Sequence, residues 1–178
     1  PAHHAVHAHP RPGPARRRAA PAAPRGPPVR DLEFQVPLDH AAPAGETLPV
    51  FARGVRASDT HDKDPPYLLF LQGGPGFPSP RPTDSTGWLG WATQRYRVLL
   101  LDQRGTGRSS PLHAATITAR GDAQAQADHL SLFRADAIVE DCALIRTELP
   151  DGRPWTTLAQ TFAGFCAGRY LPTHPDAP

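Results

Sequence analysis

Two short apolar runs, Tyr67 to Leu71 and Tyr96 to Leu101, each pass directly into a loop dense in glycine, and this pairing limits the folds open to the chain more than any other feature. Neither run alternates between apolar and polar residues, so each suits a strand covered on both faces, as in a parallel sheet flanked by helices. Elsewhere the pattern differs. Leu32, Phe34, Val36 and Leu38 alternate with polar neighbours, and Leu48 to Val55 follows after an Ala-Pro-Ala-Gly turn, which predicts an antiparallel pair of half-buried strands. Residues 133–149 read as a helix because Ile138, Cys142, Ile145 and Leu149 recur at helical spacing before Pro150 and Gly152, with Asp128 or Ser131 as its cap. Trp155 to Leu158 then reads as a short strand, and Phe162 to Leu171 as an apolar helix stopped by Pro172. That order predicts an α/β fold.

The first 30 residues do not share this organisation. They hold eight prolines, six arginines, four histidines and no acidic residue, without helical or strand periodicity. They cannot bury enough apolar surface to offset the entropy of ordering, so residues 1–30 are expected to be a disordered arm and residues 31–178 the folded part. The net charge of +2 belongs to the arm. Without aromatic residues interleaved among those arginines no nucleic-acid partner is expected, and His3, His4, His7 and His9 lack a carboxylate to orient them, so no metal or other cofactor is expected either. The apolar stretches of four or five residues fall far short of the roughly 18 needed to cross a bilayer, which removes a membrane-spanning role. Arg16 to Arg18 are followed by Ala-Ala-Pro-Ala-Ala-Pro instead of the apolar segment of an export signal, and Cys142 and Cys166 are too few for a disulfide scaffold. A cytoplasmic protein is the expectation.

In open α/β sheets chemistry gathers at the carboxyl ends of strands. The first such loop, Gln-Gly-Gly-Pro-Gly at 72–76, has the composition that lets backbone amides point at an anionic atom, or simply makes a tight Gly-Pro turn. The second, Asp-Gln-Arg-Gly-Thr-Gly-Arg-Ser-Ser at 102–110, offers Asp102, Arg104 and Arg108 as mutual partners bracing a turn. Phosphate binding is its rival, but the loop lacks the Gly-x-x-x-x-Gly-Lys-Ser/Thr spacing of a nucleotide cradle. The third, Ala-Gln-Thr-Phe-Ala-Gly at 159–164, is a strand-to-helix turn with small residues around a hydroxyl at Thr161, the pattern of a nucleophile elbow, although many helix starts would match it.

Taken together, these loops resemble the prolyl aminopeptidases (proline iminopeptidases) of the α/β-hydrolase superfamily, which carry a His/Gln-Gly-Gly-Pro-Gly loop, an Asp-Gln-Arg-Gly-x-Gly-Arg-Ser segment and a Gly-x-Ser-x-Gly-Gly elbow. The Val-Pro-Leu-Asp-His segment at 36–40 and the helix containing Phe133 to Arg146 are similar to the longer members of that group. The resemblance covers roughly residues 31–176. It implies a truncated α/β-hydrolase core, from the first strands through the nucleophile elbow, with the later strands and helical cap absent. It further implies a serine exopeptidase acting on peptides with an N-terminal proline, in which Thr161 takes the nucleophile position. The amides of Gly74 and Phe162 then form the oxyanion hole, and Gly73, Pro75 and Gly76 shape the loop.

Three elbow residues depart from the family pattern: Ala159 and Ala163 stand in place of glycine, and Thr161 in place of serine. In this superfamily the triad acid and histidine follow the nucleophile. After Thr161 the sequence offers only His174 and Asp176, in a proline-rich segment. The chain is therefore expected to lack activity as it stands. Its alternatives are a non-catalytic binding or interaction module and another α/β-hydrolase, such as a tripeptidyl aminopeptidase or an esterase. His113 and His129 read as surface or helix-start histidines, and Cys166 as core. Oligomeric state is not legible in these residues.

Overall fold

A computed structural model describes residues 27–59, 63–150 and 152–177. The arm expected over residues 1–30 lies outside the described residues up to position 26, and β1 (Val29–Pro37) already takes in Val29 and Arg30. β1 pairs antiparallel with β2 (Thr47–Val55), with Phe34 opposite Val50 and Val36 opposite Leu48, as the alternating apolar residues require. β3 (Tyr67–Leu71) and β4 (Arg97–Leu101) are parallel, and β4 also pairs antiparallel with β2. β5 (Thr156–Ala159) adds to the other side of β3, again parallel, so the five-stranded mixed sheet runs β1-β2-β4-β3-β5.

The continuous apolar runs are explained by cover on both faces. Leu69, Leu71, Leu99 and Leu101 face a core shared with Ile138, Cys142, Ile145, Cys166 and Tyr170, whereas Leu68, Phe70, Val98 and Leu100 face Leu89 and Ala92. The first set meets α4 (Ala135–Glu148) and α5 (Phe162–Thr173), and the second meets α1 (Gly87–Thr93). Period-two alternation thus sends neighbouring leucines to opposite, equally dry layers.

Three helices are absent from the sequence reading: α1, α2 (Ala114–Thr118) and α3 (Ala123–Ser131). α1 and α2 are too short to display a helical period, and α3 is rich in alanine and glutamine, good helix formers that leave no apolar stripe. The side chain of Asp122 caps α3 by accepting from the amide of Ala125 at 2.9 Å. Asp128 and Ser131 consequently lie inside α3 and do not cap α4, whose N-cap, Arg134, makes no side-chain capping bond. Pro172 sits within the last turn of α5 instead of ending it. Among the described residues no helix is long and apolar enough to cross a membrane.

Candidate active site

The chain turns sharply from β5 into α5 at Thr161, where φ is 48° and ψ −121°. A β-branched residue at positive φ is an outlier for ordinary turns and stores about 1–3 kcal/mol of strain. Such strain persists only where the surroundings over-determine the backbone. Here the surroundings are the glycine loop after β3. A Cβ on Gly73 would lie 1.8 Å from Thr161 Oγ1 and 2.7 Å from the Gln160 carbonyl oxygen, so only glycine permits this approach. Beside it, the Gly74 amide donates to Thr161 Oγ1 at 3.1 Å.

The loop is held from both sides of this contact. Gln160 Nε2 donates to Gln72 Oε1 at 3.1 Å, and Gln103 Nε2 donates to the Gln72 carbonyl at 3.0 Å. Gly74 and Gly76 occupy φ of 137° and 102°, the glycine-favouring region, with exposed Pro75 between them. Phe162 opens α5, so its amide has no carbonyl partner within the helix and is free to face an anionic atom. The structure therefore brings Gly73, Gly74 and Thr161 into direct contact at one bend, with Phe162 next in the chain. Ala163 is fully buried, in keeping with a position that admits only small side chains.

The second loop is braced, and of the mutual partners expected of it only the Arg108 backbone amide meets Asp102. Asp102, fully buried, accepts from the Ser79 amide at 2.9 Å and the Arg108 amide at 2.9 Å, and it pairs with the Arg81 guanidinium. The Arg108 guanidinium turns instead to Asp31 at 3.0 Å. Arg104 leaves Asp102 altogether. Its buried guanidinium donates to both Asp141 oxygens at 2.7 and 2.5 Å, to the Leu38 and Leu132 carbonyls at 2.8 and 2.7 Å, and to the Pro37 carbonyl at 2.9 Å. His40 Nε2 lies 2.8 Å from Asp141 Oδ1. One arginine thus joins the 36–40 segment, the second loop and α4.

Asp141 escaped the sequence reading although a signal was present. Ile138, Asp141, Cys142 and Ile145 fall at i, i+3, i+4 and i+7, which puts a carboxylate in the apolar stripe of α4 and calls for a buried cation.

The remaining candidates lie elsewhere. His113 is the exposed N-cap of α2. His129 is buried near the end of α3, its ring edge-on to Phe133 at 5.0 Å, and so is neither a surface nor a helix-start residue. His174 Nε2 is 3.0 Å from Glu140 Oε1, and Asp176 is exposed. Among the described residues, no histidine or carboxylate contacts Thr161 Oγ1. Cys166 is buried, and desolvation pushes its thiol up to about 11, so at neutral pH it is a protonated core residue.

Beside the elbow opens a cleft of about 560 Å³, lined near the bend by Pro75, Gly76, Phe162 and Phe165, and farther out by Phe133, Arg134 and Arg169. A strained hydroxyl, the glycine-loop amide that donates to it and an adjoining cleft thus lie together at the carboxyl ends of parallel strands.

Sequence comparison agrees with this geometry. Residues 66–177 match the family described as alpha/beta hydrolase fold, and the chain belongs to it. Within that family it is similar to two curated proline iminopeptidases. It is 51% identical over 145 residues to that of Aeromonas sobria, covering 81% of this chain and 34% of the relative. It is 41% identical over 154 residues to that of Aspergillus aculeatus, covering 83% of this chain and 34% of the relative. The chain thus spans about a third of the length of the curated relatives it matches. Among solved structures, a haloalkane dehalogenase variant from Bradyrhizobium elkanii superposes with a TM-score of 0.43 at 18% identity, over 84% of this chain and 38% of that one.

Proposed function

We propose that this chain carries the nucleophile elbow and oxyanion-stabilising portion of a prolyl aminopeptidase site, acting on peptides with an N-terminal proline. Thr161 holds the nucleophile position. The amides of Gly74 and Phe162 receive the negative charge of a tetrahedral intermediate, and Gly73, Pro75 and Gly76 set the loop that delivers the Gly74 amide. The reading rests chiefly on one observation, the Gly74 amide donating to the hydroxyl of a residue held at φ 48°. Similarity to the two proline iminopeptidases supports the choice of substrate.

Attack by a hydroxyl needs a base to take its proton, and among the described residues none reaches Thr161 Oγ1. The 178-residue chain alone is therefore proposed not to turn over substrate. Prolyl-aminomethylcoumarin offered to the purified chain should release no fluorophore above buffer, and release abolished by Thr161→Ala would contradict this. The function itself is tested by placing residues 31–176 in the matching segment of the Aeromonas sobria enzyme. With Thr161→Ser, the graft should release N-terminal proline at least about fivefold faster than with Thr161, the least that about 1–3 kcal/mol of β-branched strain and crowding implies. A folded Thr161→Ser graft without proline release would overturn the assignment.

A further inference from the structure

We infer that the cleft beside the elbow binds the carboxylate of a short peptide through Arg134 and Arg169, an inference that rests on the exopeptidase reading of the elbow and names the substrate class it serves. The cleft runs from Phe162 and Gly76 at the bend to these two guanidiniums, and its volume of about 560 Å³ lies within the usual small-ligand range of about 300–1,000 Å³. Its third arginine, Arg104, is already saturated by Asp141 and three backbone carbonyls. Arg134 and Arg169 differ. Both are exposed, and among the described residues neither is paired with a carboxylate.

The balance of charge is cationic. Among the described residues Asp136 is the only acidic side chain in the lining, against two unspent guanidiniums. Arg134 also sits at the N-cap of α4, where the helix dipole adds positive potential. Apolar cover comes from Phe162 and from Phe165, which is 64% exposed, and the two rings stack at 6.4 Å as an aromatic floor. A planar guanidinium fork matches a carboxylate bidentately. A peptide with its scissile bond at the elbow would lie along this floor with its carboxylate on the arginines.

The experiment is a titration of the intact chain at low ionic strength with Pro-Gly-Gly acid, Pro-Gly-Gly amide and Pro-Asp-Gly amide, read from amide shifts of cleft residues. The acid should bind at least about tenfold more tightly than the glycine amide, as one charge-assisted contact allows. Arg134→Gln combined with Arg169→Gln, both at the surface, should abolish that preference. Recovery of affinity by Pro-Asp-Gly amide would support the site with a side-chain carboxylate as the source, and its failure to recover would support a terminal one. Equal binding of acid and glycine amide, no binding of either, or a preference surviving the double variant would overturn the inference. If the preference holds while the graft releases no proline, the exopeptidase reading fails and the carboxylate site stands.

Discussion

Of the described glycines, Gly73 leaves the least room for a Cβ because Thr161 stands against it, and that pairing could not be read from Gly73 alone. The sequence offered for its loop either amides pointing at an anionic atom or a tight Gly-Pro turn, whereas the reason for glycine at 73 is the hydroxyl arriving from 88 positions later, 1.8 Å from where a Cβ would stand. Replacing Gly73 with alanine should force the elbow and loop apart and cost about 1–3 kcal/mol, the usual range for overpacking. Urea denaturation measures it, and an unchanged midpoint would mean the two segments do not meet this closely. The strained apex was more legible: small residues around a hydroxyl between a strand and a helix pointed to position 161, and its φ of 48° bears out the bend. The arginines were less so. A local pairing of Asp102, Arg104 and Arg108 was the economical reading of one loop, and the Arg108 amide does meet Asp102, yet the charged side-chain partners chosen, Asp31, Arg81 and Asp141, come from other segments. Sequence proximity cannot rank such competitors.

Helix α4 shows how an element can be correctly foreseen while its main task is missed. Its apolar spacing predicted a helix packed on the sheet, and Ile138, Cys142 and Ile145 are buried there. The same spacing carried Asp141 into the stripe unnoticed; its side chain is 2% exposed and meets an Arg104 guanidinium that is 0% exposed. Removing one member of a buried pair leaves the other charge desolvated, at a cost of about 3–5 kcal/mol. Asp141→Ala should therefore lose about that much stability in thermal or urea unfolding and release the 36–40 segment. A loss under about 1 kcal/mol would show that Arg104 finds water or another acceptor. Strands β3 and β4 were legible because unbroken apolar residues have few alternatives, whereas α1 and α2 are too short to show a helical period and α3 has no apolar stripe, so their order comes from tertiary context.

Across the whole sheet, β5 is an edge strand among the described residues, and Leu158 on it is 41% exposed. An apolar edge invites pairing with another chain. Light scattering should show association rising with concentration, and Leu158→Lys should reduce it; indifference to that change would place the contact elsewhere. The same sheet holds the glycine loop, the elbow and the Arg104 brace at one end, and their convergence is what gives the chain a site at all. The amide proton of Gly74, followed by ¹H–¹⁵N correlation spectroscopy, reports on it directly. It should move upfield in Thr161→Ala as its acceptor is lost and stay close to its original position in Thr161→Ser. A Gly74 resonance indifferent to both substitutions would mean that its amide does not face residue 161, and no oxyanion pocket would remain.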